Sequence, residues 1–355
     1  MTSESVFLLT GVALISLGAF VDGSLGLALK HIRGWRWEHL WLVYSVLAFA
    51  VIPWILGFGT IKNLTSVLRL ANHRDLFLVF IFGVGWGCGA VLFGLSLKMA
   101  GMALSYAIAV GLGAAVGSFA PLVLMHRQEI MTDRGILVIG GVILVVIGVA
   151  LCSWAGHLKD QRLAQPTADP LSKQRPESVA RWKQDLRVKV GVVAAVLSGL
   201  LNPMINLSFA YGAPIAKLAE RQGAEPFLAL NVIWAIAMSA GAFVNAMYCS
   251  YLISKERSWN LMSRPSFDYV IGLLMGLLGP VGLLLYGVGS SRMGELAAVV
   301  GWPILSSMGI LSANFWGAIT GEWSGTGRRP LCIMGIAIIV LIVAMFILGW
   351  SSTLG

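Results

Sequence analysis

Ten stretches of this chain are apolar for long enough to cross a lipid bilayer, and that property leaves few folds open. Crossing the hydrocarbon core as a helix takes about 20 consecutive, mostly apolar residues. In lipid the backbone N–H and C=O groups must bond within their own segment, which a helix achieves. The stretches are residues 7–29, 37–58, 76–97, 103–124, 135–154, 188–211, 226–253, 267–286, 295–320 and 331–350. With 57% hydrophobic and 12% charged residues and a mean hydropathy of +0.83, the chain reads as an all-α polytopic membrane protein. The opening MTSESVFLLTGVALISLGAF carries no basic residue ahead of its apolar run, so it reads as a first spanning helix and not a cleaved leader.

One long polar interval divides the chain. LKDQRLAQPTADPLSKQRPESVARWKQDLRVK separates two sets of five segments, which gives a first unit over 1–155, a linker over 156–187 and a second unit over 188–355. Lysine and arginine concentrate in the connections after odd-numbered segments, the linker above all. By the positive-inside rule these face the cytoplasm and both termini face the periplasm. The formal charge of +9 is spread over short connections and not gathered on one face, so the bilayer, and no nucleic acid, is the expected partner. Cys88, Cys152, Cys249 and Cys332 sit in apolar stretches without metal-ligand spacing, so no metal site or cofactor is expected.

The two halves resemble each other. LFGLSLKMAG from Leu92 matches LYGVGSSRMG from Leu285, and AIAVGLG from Ala107 matches AAVVGWP from Ala297, at equivalent positions in each half. Five helices per half is an odd number, so the second half enters the membrane inverted, an arrangement used by transporters with a site near the bilayer midplane. Glycines at small-x-x-x-small spacing, namely Gly83, Gly85, Gly87 and Gly89, Gly113 with Gly117, and Gly272 with Gly276, suit close helix packing. Trp86, centred in the first of these runs, either fills a groove on a neighbouring helix or lines a cavity.

Polar residues inside the spans are the candidates for chemistry, because each costs free energy to bury in lipid. Asp22 lies eight residues before Lys30, roughly 12 Å at ~1.5 Å per residue, too deep for its short side chain to reach the interface. It must face a cavity, find a polar partner or be protonated, and a carboxyl so placed can carry a coupled proton. LSGLLNPMINLSFAYGAP in the sixth segment puts Asn202 before Pro203, followed by Asn206 and Tyr211; proline breaks the helix there, and broken helices line transporter sites. Asn231, Asn245 and Asn314 extend the amide set, and Trp302 beside Pro303 marks another irregularity. Amides can donate to and accept from sugar hydroxyls, and tryptophan can stack on a pyranose ring; interhelical hydrogen bonding is the competing role for each asparagine. Asp268 and Glu295 fall at helix starts and complement the helix dipole.

KHIRGWRWEHLWLVYSVLAFAVIPW, FGVGWGCGAVLFGLSLKMAGMALSYAIAVGLGAAVGSFAP and TGEWSGTGRRP, in this order, resemble the bacterial L-rhamnose:proton symporters of the drug/metabolite transporter superfamily. The resemblance implies proton-coupled uptake of a 6-deoxyhexose through two inverted five-helix repeats in the bacterial inner membrane. The chain has GLALKH where some members have Y-x-P-x-K-K. It has Ala297, Ala298 and Val299 where some have Y-D-Y, and an acid at Asp22 where those lack one. The reading is therefore a proton-coupled sugar importer working by alternating access, with an exporter or exchanger of another small metabolite or drug as the alternative. Asp22 is the coupling candidate, and Trp86, Asn202, Asn206, Tyr211, Asn231, Asn245, Trp302 and Asn314 are the substrate candidates. An intramembrane enzyme finds no catalytic constellation in the spans.

Overall fold

A computed structural model describes residues 3–29, 31–100, 102–163, 177–293 and 297–351. The described residues form only helices and their connections: α1 (Ser3–Leu29), α2 (Trp37–Ser45), α3 (Ile52–Thr60), α4 (Leu64–Leu70), α5 (His73–Ala100), α6 (Met102–Met125), α7 (Asp133–Leu163), α8 (Glu177–Leu201), α9 (Met204–Tyr211), α10 (Ala213–Arg221), α11 (Asn231–Lys255), α12 (Asp268–Ser290), α13 (Ala297–Ile319) and α14 (Arg328–Ser351). Nine spans among the described residues are long and apolar enough to cross a membrane. Within the expected segment 295–320, Ala297–Ile319 forms α13, and Glu295 lies outside the described residues.

Prolines interrupt the helices where the sequence places them. Pro53 cannot donate to the Phe49 carbonyl, and the chain just ahead of it widens into a π-helical turn, Val46–Val51, that joins α2 to α3. Pro203 likewise separates α8 from α9. Pro121, Pro280 and Pro303 lie inside α6, α12 and α13, and each leaves one carbonyl without its helical donor. At the divide between the halves, α7 runs on to Leu163 and α8 begins at Glu177, so helix reaches into both ends of the expected linker. Residues 164–176 lie outside the described residues.

Packing follows the glycines. The helix α1 packs on α12 and α13, while α8 packs on α5 and α6; α11 joins α5 and α2, and α7 runs along α14. An added β-carbon at Gly18 would lie 2.5 Å from the Gly282 carbonyl oxygen, so α1 and α12 touch backbone to backbone. Gly83 and Gly87 of the glycine run meet Ala237 and Gly241 of α11 in the same way. Large apolar side chains cover the outer surface, as Ile336, Ile339, Val343 and Phe346 do along α14. That outward face suits lipid tails, whereas α6 and α13 pack against each other, with Asn202 and Trp302 beside their contact.

Candidate functional site

Where α6 and α13 cross, Asn202 and Trp302 line one cavity of about 140 Å³, together with Phe93, Val110, Gly113 and Ser306. Asn202 is available because Pro203 ends α8 just after it. Its amide Nδ2 donates to Ser198 Oγ at 3.0 Å, and Ser198 Oγ donates to the Gly89 carbonyl at 2.9 Å, which fixes the side chain while its Oδ1 keeps no partner among the described residues. The Trp302 indole Nε1 donates to the Gly113 carbonyl at 3.1 Å, and its ring lies on the bare backbone of Gly117, where any β-carbon would collide with it. A cavity of roughly 150 Å³ accommodates one six-membered ring. The site thus offers an aromatic face and an amide oxygen to a ligand of single-ring size.

The carbonyls released by proline are met by polar side chains from neighbouring helices. Pro303 frees Val299 O, which accepts from Ser118 Oγ at 2.7 Å. Pro121 frees Gly117 O, which accepts from Asn206 Nδ2 at 2.8 Å, while Tyr286 Oη donates to Asn206 Oδ1 at 3.1 Å. Asn206 is buried within this network, which braces the wall of the cavity behind Trp302.

Asp22 is placed differently. Its side chain is exposed although α12 and α13 flank α1, and it makes no hydrogen bond or ion pair among the described residues. A β-carbon at Gly282 would be 3.3 Å from Asp22 Cβ, and one at Gly279 would be 3.1 Å from the Tyr44 hydroxyl. Two glycines on one face of α12 thereby leave room for Asp22 and Tyr44 side by side, within electrostatic range of each other. Trp41, Tyr44, Phe49 and Trp86 continue from there as a chain of rings, with centroids 5.1, 5.0 and 4.9 Å apart. Trp41 Nε1 donates to Asn245 Oδ1 at 3.0 Å, Asn245 Nδ2 donates to Gly241 O at 2.9 Å, and Trp86 fills the groove over Gly241.

The remaining candidates lie apart. Asn231 Nδ2 donates to Thr60 Oγ1 at 3.0 Å beside a cavity of only about 10 Å³, too small for a sugar. Tyr211 packs on Phe82 with centroids 5.4 Å apart. Asn314 Nδ2 donates to Ile310 O at 2.9 Å and lines a second cavity of about 160 Å³. Of the substrate candidates, the structure brings together Asn202 and Trp302, and it groups Trp86 with Asn245 on the Asp22 side. Sequence reasoning did not single out Tyr44, Tyr286, Ser198 or Ser118. Proline positions could have pointed to Ser118, since a proline at i calls for a donor at the carbonyl of i−4. Among the described residues no group of three or more His, Cys, Asp or Glu could hold a metal ion.

The sequence model of the L-rhamnose-proton symport protein (RhaT) family matches residues 5–353. An L-rhamnose-proton symporter of Escherichia coli strain 55989 is 24% identical over 329 residues, which cover 90% of this chain and 91% of the relative. One from Shigella boydii serotype 18 is equally similar over the same shares, and one from Salmonella gallinarum is 23% identical over 333 residues, 91% of this chain and 92% of the relative.

Proposed function

The chain belongs to the L-rhamnose-proton symport protein family, and from that premise we propose that it imports L-rhamnose or a closely related sugar together with protons by alternating access. The relatives are named symporters, not enzymes. The observation that carries the reading is the ring-sized cavity between Asn202 and Trp302 at the crossing of α6 and α13. Trp302 supplies the face on which a deoxysugar ring stacks, and Asn202 Oδ1 accepts from a hydroxyl. Asp22 carries the proton in this reading, because it lies within the first span, is exposed and has no hydrogen bond or ion pair among the described residues, and so can change protonation state as the halves move.

The architecture in this reading is ten spanning helices as two inverted five-helix repeats of the drug/metabolite transporter type, in the bacterial inner membrane with both termini periplasmic and the linker cytoplasmic. The pattern of packing supports it. The first helix of the first half, α1, packs on the third and fourth of the second half, α12 and α13; the first of the second half, α8, packs on the third and fourth of the first, α5 and α6. Exchanging the halves leaves that pattern unchanged, and a rocking motion of one unit against the other would expose the crossing of α6 and α13 to each side in turn.

Uptake of labelled L-rhamnose into proteoliposomes tests the function. Accumulation driven by an inward proton gradient is expected, and loss of accumulation when the gradient is collapsed. Gradient-independent exchange would favour the exchanger reading, and no uptake by protein shown to be folded would reject the sugar.

A further inference from the structure

We propose that the cavity between α6, α7, α13 and the 320–327 connection is a second sugar-binding site, on the cytoplasmic side of the central one, where the sugar rests before release; this rests on the importer reading above. The cavity measures about 160 Å³, the same single-ring scale, and its polar and aromatic lining comes from Tyr106, Ser153, Lys159, Asn314, Glu322 and Trp323.

The two cavities lie end to end along one seam. Val110 and Ser306 line the central cavity; Tyr106 and Ile310, each four residues away on the same helices, line the second. Four residues are about one helical turn, roughly 6 Å. The partition between them is aromatic: Phe93 faces the central cavity, Tyr106 faces the second, and their rings meet edge to face with centroids 5.1 Å apart.

Glu322 and Trp323 of the TGEWSGTGRRP segment line the far side. Lys159 Nζ lies 3.6 Å from Glu322 Oε2 and 4.9 Å above the Trp323 ring, so the end of α7 holds Glu322 and Trp323 at the rim. The pair sets a carboxylate beside the ammonium, and the Arg162 guanidinium lies against Gly327 of the same connection. A phosphate or carboxylate ligand would meet Glu322 as well as Lys159, whereas a neutral polyhydroxy ring meets acceptors, donors and aromatic faces. Asn314 donates Nδ2 to its own helix and keeps Oδ1 for a hydroxyl. The lining therefore selects the same chemical class as the central site.

Cys152 lines this cavity and reports on it. Alkylation of Cys152 by N-ethylmaleimide, followed by peptide mass mapping, is measured with and without L-rhamnose, with the exposed Cys332 as internal control. Ala313→Cys, at an exposed lining residue, gives a second reporter where Cys152 reacts slowly. At a sugar concentration ten times the site's Kd, labelling is expected to slow about tenfold. The protection should persist in Trp302→Ala and vanish in Asn314→Ala and in Trp323→Leu. Protection lost in Trp302→Ala but kept in Asn314→Ala would overturn the proposal, since the effect would then come from the central site. So would labelling that follows added phospholipid and ignores sugar. Unprotected labelling of both reporters while radiolabelled L-rhamnose still binds the purified protein rejects the second site and leaves the importer intact. Absence of any rhamnose binding removes both.

Discussion

The side-chain amide of Asn206 donates to the Gly117 carbonyl at 2.8 Å, the carbonyl that Pro121 leaves without a helical donor. A break in one helix is thus repaired from another, and because Tyr286 donates to the same amide, Asn206 of α9 ties α6 to α12. Asn206→Ala would leave that carbonyl and the Tyr286 hydroxyl without their amide partner in a buried network. A loss of about 1–3 kcal/mol in stability is expected, read as a lower unfolding temperature in detergent. Unchanged stability with weakened sugar binding would instead make Asn206 a substrate contact.

Trp302 depends on a position that has no side chain. A β-carbon at Gly117 would collide with the indole, so Gly117→Ala must push the ring out of the cavity or α6 away from α13. Trp302→Phe keeps a ring but loses the bond to Gly113 O. Rhamnose affinity is expected to fall roughly tenfold in Trp302→Phe, equivalent to about 1.4 kcal/mol, and further in Gly117→Ala. Equilibrium binding of labelled sugar to purified protein checks both; equal affinity in all three proteins would place the sugar elsewhere.

Long apolar runs made the spanning helices legible, because lipid leaves a chain of that composition almost no other way to satisfy its backbone. The break at Pro203 was legible for the same local reason. What could not be read was which polar residues meet, since Asn202, between α8 and α9, and Trp302 of α13 belong to the same half and come to one cavity only beside Val110 and Gly113 of α6. Asn206 and Asn245 carried the same polar signal as Asn202, but packing commits them to carbonyls and an indole. Tyr44 gave no signal at all: a phenol in an apolar run reads as core, and only the bare Gly279–Gly282 face of α12 shows that it sits beside Asp22.

Asp268 does more than complement a helix dipole. Its carboxylate accepts from the backbone N–H groups of Arg33, Gly34 and Trp35 at 2.9, 2.8 and 2.9 Å, and from Ser266 Oγ at 2.9 Å. One buried acid at the start of α12 therefore fixes the connection between α1 and α2. Asp268→Ala strands four donors, three of them backbone N–H groups in the bend between α1 and α2. Destabilisation above about 3 kcal/mol is expected, because charged acceptors of buried N–H groups are worth more than neutral ones. Asp268→Asn, with one oxygen remaining as acceptor, should lose less. Thermal unfolding of both variants checks the order, and equal unfolding temperatures for Asp268→Ala and the parent would show that the connection holds itself.

Asp22 and Tyr44 make the sharpest separation between coupling and binding. Asp22 lies away from the residues that line the central cavity, so removing its charge should leave the sugar site standing. Asp22→Asn keeps the size and loses the titratable proton. Gradient-driven accumulation of L-rhamnose is expected to fall to the equilibrated level, while exchange of external labelled sugar for internal unlabelled sugar continues at a rate near that of the parent. Tyr44→Phe removes the hydroxyl beside Asp22 and should slow accumulation without abolishing it, since the carboxyl can still load and release its proton. Accumulation by Asp22→Asn at the parent's level would move coupling to another residue. Loss of exchange along with accumulation, in folded protein that no longer binds sugar, would make Asp22 part of the sugar site itself.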